Sequence, residues 1–321
     1  MKRLPARLRP RRGGDPPLTG RRVLITGGSS GIGLACAHEL TARGARVVLL
    51  ARGREGLERA AAGMTPVPPT VIADVSDVEA LRIAVDRAAE LLGGLDAVVA
   101  NAAAAAVGPF SQMTADDIHR TLGSALLGMV NTTHVALPHL ERSEGRLIIV
   151  GSIAGRIPTP WLAAYTAAKH GVRGLVRTLA VELRAQGSPV TVALVAPGPV
   201  DTPFWRRARS VDGRLPPRIY GAYRPEDVAA EVVRAFGRLR TERSVGGLMA
   251  ATALIDALAP NVMVRVSGSL AGLAWRRRER HAPEPADALT QPVTEPHLHT
   301  GLPSRPSILV RLRDLAGVGD R

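Results

Sequence analysis

A short apolar run, Val23–Thr26, ends in the glycine-rich turn Thr26-Gly-Gly-Ser-Ser-Gly-Ile-Gly33, and a helical stretch over Gly31–Arg43 leaves that turn. Parallel strands must be joined by a crossover, usually a helix, so this opening commits the chain to a parallel sheet. The rhythm then repeats. Strand-like Arg46–Ala51, Val67–Ala73, Leu95–Ala100, Arg146–Gly151 and Val190–Ala196 alternate with helical Glu55–Ala62, Val78–Leu92, Ala115–Leu140 (Pro138 near its end) and Ala163–Ala185. The strands are continuous apolar runs, which implies a sheet covered on both faces. The expected fold class is α/β: a doubly wound parallel sheet of Rossmann type, in a single domain with an extra carboxyl-terminal segment.

Four stretches follow from composition. Residues 1–19 are a basic lead with no apolar core, which fails as a secretory signal and reads as disordered. Residues 20–248 hold the nucleotide-binding domain. Residues 249–280 are apolar and then basic, ending in Arg276-Arg-Arg-Glu-Arg280, and residues 281–321, rich in Pro, His and Thr, read as a loose tail.

The formal charge of +14 invites a nucleic-acid reading. Only Lys2 and Lys169 are lysines, however, and aromatic residues make up 3% of the chain, leaving few platforms on which bases could stack. No nucleic-acid partner is expected. The single cysteine, Cys36, excludes a disulfide framework, suits a reducing cytoplasm, and reads as a small buried side chain. His297-Leu-His299 offers two ligands without supporting acids or thiols, so no metal site is expected.

The glycine turn satisfies the context a dinucleotide seat requires, since it follows a strand and opens a helix. Gly27 allows the sharp turn, Gly31 lets backbone approach a diphosphate, and Gly33 permits close packing, with free amides at the helix start facing the phosphates. Gly27-Gly-Ser-Ser-Gly31 also spells the nucleophile elbow of hydrolases. That reading needs several strands ahead of Ser29, and too little chain precedes it. No Lys-Ser/Thr follows the glycines, so it is not a P-loop either.

Downstream, Tyr165-Thr-Ala-Ala-Lys169 stands thirteen residues after Ser152. Residues four apart share a helix face, so Lys169 comes beside Tyr165. A neighbouring cation favours phenolate over phenol and should lower the tyrosine pKa from about 10, making Tyr165 a general acid or base.

The spacing T-G-x-x-x-G-x-G, with this serine and Tyr-x-x-x-Lys, resembles the short-chain dehydrogenase/reductase family over residues 20–248. The resemblance implies that Ser152 hydrogen-bonds the substrate oxygen and that Tyr165 exchanges a proton with it. Lys169 would bind the nicotinamide ribose. It further implies cofactor contacts from Ser29, Ser30 and Ile32 in the turn, Asp74 and Val75 at the adenine, and Pro197, Gly198, Val200 and Thr202 at the nicotinamide amide. Asn101 would steady the central strand. Where an acid usually binds the ribose diol, this chain has Arg52, which would pair with a 2′-phosphate and select NADP(H).

One family position departs. Counting back from Gly128 and Pro138, the helix Asn that bends the chain and holds a water beside the lysine is Ala125, whose side chain neither donates nor accepts. That gap puts the proton relay in question. Ser124 is the nearer substitute and Asn131 the other. The expected function is an NADP(H)-dependent oxidoreductase, ketoreductase or alcohol dehydrogenase, acting on a carbonyl or secondary alcohol. The alternative is a catalytically weak NADP-binding regulatory or membrane-surface protein.

The resemblance also implies substrate contacts from the loop after Ser152, including Trp161, and from the segment after Thr202, where Phe204 and Trp205 suit a lipophilic substrate. The arginines after them, at 206, 207, 209, 214 and 218, read as a solvated lid. Gly246–Trp275 carries Asp256 and Pro260, which argue against a membrane span. The segment suits a cover over the substrate pocket, or peripheral membrane contact through 246–280. The resemblance also implies a homodimer or homotetramer paired through the long central helices.

Overall fold

In the computed structural model the described residues are 17–214, 222–237, 240–245, 247–276 and 287–299. The lead up to residue 16, Arg218, the basic run after Arg276 and the tail from residue 300 lie outside them.

The elements run β1 (Arg22–Thr26), α1 (Gly31–Ala42), β2 (Arg46–Ala51), α2 (Arg54–Ala62), β3 (Thr70–Ile72), α3 (Val78–Leu92), β4 (Ala97–Ala100) and β5 (Ala106–Val107). Then come α4 (Ala115–Leu122), α5 (Gly128–Arg142), β6 (Arg146–Val150), α6 (Ala163–Ala185), β7 (Thr191–Pro197), α7 (Phe204–Arg207) and β8 (Arg209–Ser210). The last are α8 (Pro225–Ala235), β9 (Glu242–Val245), α9 (Gly247–Leu258) and α10 (Pro260–Arg276). Seven strands form one parallel sheet in the order β3-β2-β1-β4-β6-β7-β9. The order reverses between β1 and β4, and ligands of such sheets bind outside the carboxyl ends of the strands at that switch.

Apolar residues cover both faces. Val23, Ile25 and Leu49 pack with α1 and α8 residues on one side, while Leu24, Leu50 and Val98 pack with α3, α5 and α6 on the other. Leu24, Ile25, Leu49 and Leu50 are wholly buried, each worth roughly 1.5–3 kcal/mol of transfer free energy. This two-sided burial is why the strands read as unbroken apolar runs.

The elements differ from expectation where a local rule met a competing constraint. The third strand shrinks to Thr70–Ile72, because Pro66, Pro68 and Pro69 have no amide to donate and Val67 stays exposed. The long central helix is not continuous: a π-turn over Gly123–Leu127 separates α4 from α5. Strand β9 carries two charges, Glu242 and Arg243, and has no apolar run to reveal it. Its Glu242 is held by Arg156 and by Arg173 at 3.2 Å. The apolar stretch after it folds as α9 and α10, with Pro260 opening α10, where a missing amide costs nothing. Among the described residues no helix is long and apolar enough to cross a membrane.

Candidate active site

The turn after β1 has the backbone that only its glycines allow easily. Gly31 has φ +52°, and a Cβ on Gly33 would overlap the Gly27 carbonyl. The Asn101 amide, from the end of β4, donates to the Thr26 carbonyl at 3.1 Å, and the Asn101 and Ala102 amides donate to the Thr26 hydroxyl. Asn101 thus ties the two strands together at the switch point. Ser29 is buried, Ser30 sits at the start of α1 without capping it, and Ile32 packs against the core. A close-packed turn whose helix amides have no side-chain cap from Ser30 fits a diphosphate. The amide of Gly31 donates to the carbonyl of His297 at 2.8 Å.

At the far end of the groove, Arg52 follows β2 directly. Its guanidinium donates to the carbonyls of Ala288 at 2.5 Å and Leu289 at 3.4 Å and approaches the Asp74 carboxylate at 3.4 Å. Burial works against the Asp74 charge, but hydrogen bonds from Ser76 and the Arg52 cation outweigh it and hold the carboxyl below its ordinary range. Val75 is buried under the π-turn, where a Cβ on Gly128 would strike it.

Ser152, Tyr165 and Lys169 meet on one wall of the same cavity. Ser152 ends β6 and caps the short helical turn Ile153–Gly155, accepting from the Ala154 amide at 3.1 Å. Gly155 lets that turn lie against α6, since a Cβ there would meet the Lys169 carbonyl at 2.5 Å. Tyr165 and Lys169 are one turn apart on α6, with the ammonium 5.4 Å from the phenol ring centroid. Lys169 is 2% exposed and donates to the Val150 carbonyl at 3.2 Å.

The expected depression of the tyrosine pKa is not what the site shows. Burial pushes the Tyr165 phenol up to about 12, with the Ser152 hydrogen bond pulling the other way. Burial also lowers Lys169 to about 8. Removing a phenolate from water costs more here than the Ser152 hydrogen bond returns. At neutral pH this phenol holds its proton and can give it to an acceptor. Burial likewise pushes the Cys36 thiol up to about 12, which leaves it inert.

Ala125 is fully buried inside the π-turn, where the Gly128 amide reaches back to the Gly123 carbonyl. The regular helix is therefore interrupted here without an Asn side chain. Neither candidate substitute is directed at Lys169. The Ser124 hydroxyl exchanges hydrogen bonds with Ala104 backbone at 3.1 Å, and Asn131 donates to the Val75 carbonyl at 3.0 Å.

Pro197 closes β7, Gly198 lines the cavity, and Val200 pairs with Tyr223 across an isolated bridge. Thr202 is buried against Gly31, joining this segment to the glycine turn. Beyond it, the Phe204 ring lies tilted 5.5 Å from Tyr165 and Trp205 meets Phe204 edge-on at 5.2 Å. With Trp161 and Leu162 they form an apolar cluster around the phenol. Arg209 pairs with Asp117 at 3.4 Å and Asp287 at 3.7 Å, so it is engaged in the fold.

Sequence reasoning missed the remaining wall. Among the described residues, none from α9 or α10 lines the cavity. Ala288, Pro292 and Val293 line it instead, from the stretch read as a loose tail. Their composition carries no signal for this; only contacts across the whole chain reveal it.

The family model for short chain dehydrogenase matches residues 21–212. An uncharacterized oxidoreductase of Bacillus subtilis, YxnA, is 31% identical over 250 residues, spanning 76% of this chain and 70% of its own. A short chain dehydrogenase from Burkholderia cenocepacia, solved in complex with NADP, is 32% identical with TM-score 0.62, covering 72% of this chain and 98% of its own. A short chain dehydrogenase/reductase from Burkholderia phymatum, in complex with NAD, shares the fold at 23% identity with TM-score 0.69, covering 77% of this chain and 96% of its own.

Proposed function

The chain belongs to the short-chain dehydrogenase/reductase family, and from that membership we propose that it is an NADP(H)-dependent reductase of a lipophilic carbonyl compound, or in reverse a dehydrogenase of the alcohol. Membership makes it an oxidoreductase with a nicotinamide cofactor and a small-molecule substrate. The observation that carries the finer reading is Ser152, Tyr165 and Lys169 on the wall of a cavity that also takes in the glycine turn and Arg52.

A nicotinamide bound here would supply the hydride for the substrate carbon, or accept it from that carbon. Gly31, Ile32 and the α1 amides would hold its diphosphate, and Thr202 and Pro197–Gly198 would hold the amide end. Arg52 supplies the cation for a 2′-phosphate, which supports NADP(H) over NAD(H). Ser152 donates to the substrate oxygen, and Tyr165 gives its phenolic proton to the same atom as the carbonyl is reduced. The resulting phenolate is held by the Ser152 hydroxyl and the Lys169 ammonium. Phe204, Trp205 and Leu162 exclude water and favour an apolar substrate. A panel of carbonyls and alcohols followed by NADPH absorbance tests this. Lipophilic aldehydes or ketones should consume NADPH, and binding without any turnover would favour the regulatory alternative.

That alternative rests on Ala125. An Asn in its place has a π-turn to sit in, and Ala125→Asn is expected to raise turnover or widen its pH range by restoring a route from Lys169 to solvent. A fall in activity at unchanged Tm would mean that protons reach Lys169 another way.

Two partners complete the proposal. Leu127 and Val181, exposed at the central helices, suit a homodimer or homotetramer. Helices α9 and α10 leave Leu254, Ile255, Leu258, Val262, Val264 and Val266 exposed, beside Arg265. This face suits peripheral contact with an anionic membrane by an otherwise cytoplasmic enzyme. The chain should co-sediment with phosphatidylserine vesicles and not with neutral ones. Recovery wholly in the supernatant would assign the face to contact between copies.

A further inference from the structure

The cofactor groove already holds a peptide. Leu289 is 4% exposed, packed with Ala104 and Ala106 at the substrate end, and the Ala288 amide donates to the Arg207 carbonyl at 2.7 Å. From there the chain crosses Arg52 and then runs so close to α2 that a Cβ on Gly53 or Gly56 would strike Pro292 or Val293. Glu295 pairs with Arg59, and His297 takes the Gly31 amide. Finally His299 lies between Glu226 at 3.2 Å and Asp201 at 3.5 Å.

Two of these contacts use donors that a dinucleotide would need. The Gly31 amide at the start of α1 is the kind that meets a diphosphate, and the Arg52 guanidinium is the kind that meets a 2′-phosphate. In the folded chain both donate to backbone carbonyls, those of His297, Ala288 and Leu289. The segment thus answers the groove's donors with acceptors.

We propose that the groove is also a docking surface for the chain's own residues 287–299, and that this segment and the phosphate-bearing end of the cofactor exclude each other. The inference rests on the dinucleotide reading of the groove. A site open in only a fraction of molecules binds with an apparent affinity reduced by that fraction. Releasing the segment therefore tightens cofactor binding without touching any residue of the turn or the catalytic wall.

Leu289→Asp places a charge in the segment's apolar anchor and is expected to tighten NADPH binding by about tenfold, read by fluorescence titration. A synthetic peptide of residues 287–299 added to that variant should weaken NADPH binding competitively. In the wild-type chain, hydrogen exchange at the Ala288 amide should quicken when NADPH saturates the site. Equal NADPH affinity in wild type and variant, or Ala288 protected equally or better with NADPH bound, would overturn the proposal and make the segment a cover that rides over the cofactor. If neither form binds NADPH or NADH, the dinucleotide reading itself fails, and competition fails with it.

Discussion

Tyr165→Phe should lower turnover by about 10²–10⁴ while leaving NADPH affinity and fold in place, because it removes a proton donor and little else. The ring that remains still packs beside Phe204, 5.5 Å away, and within the cluster formed by Trp161, Leu162 and Trp205. What is lost is the hydroxyl that Ser152 hydrogen-bonds, a stability cost of about 1 kcal/mol. Turnover, NADPH titration and Tm measured on the same preparation separate the two effects. The loss should fall on kcat. Turnover within tenfold of wild type would mean that another group delivers the proton, and the assignment of Tyr165 would be withdrawn.

Arg52→Asp should reverse cofactor choice. A charged hydrogen bond contributes about 1.5–3 kcal/mol, so losing it weakens NADPH by roughly ten- to hundredfold. The new carboxylate would add repulsion toward a 2′-phosphate and an acceptor for a ribose diol, so NADH should gain. Arg52 also holds the carbonyls of Ala288 and Leu289, so the substitution loosens that segment and helps both cofactors alike. The ratio of the two dissociation constants cancels this shared gain and is the quantity to measure. An unchanged ratio would reduce Arg52 to a structural clamp on residues 288 and 289.

The parallel sheet was legible because its evidence is local. Val23–Thr26, the glycine turn and the helix after it declare one βαβ unit within a few residues, and two-sided burial leaves an apolar run wherever a central strand passes. The carboxyl ends of the strands were legible too, so Ser152 just beyond β6 and Tyr165 and Lys169 on α6 could be brought together on paper. Where neighbours far along the chain decide, the sequence was silent. Strand β9 is a strand because β7 pairs with it, and its Glu242 is met there by Arg156 and Arg173. At Ala125 the helix breaks into a π-turn without the side chain expected to bend it.

The sign of the Tyr165 shift depends on desolvation, a sum over every element packed around the phenol, whereas sequence spacing reports only the one lysine four residues away. The segment 287–299 is the extreme case. His297 meets Gly31 across most of the chain's length, and a return over such a distance costs little more closure entropy than a shorter one. It also leaves no periodicity behind. The local pattern determined a dinucleotide fold and a Ser-Tyr-Lys wall, while only the tertiary structure decided what lies in the groove and how tightly the phenol keeps its proton, because both are set by contacts between residues that the sequence never brings near one another.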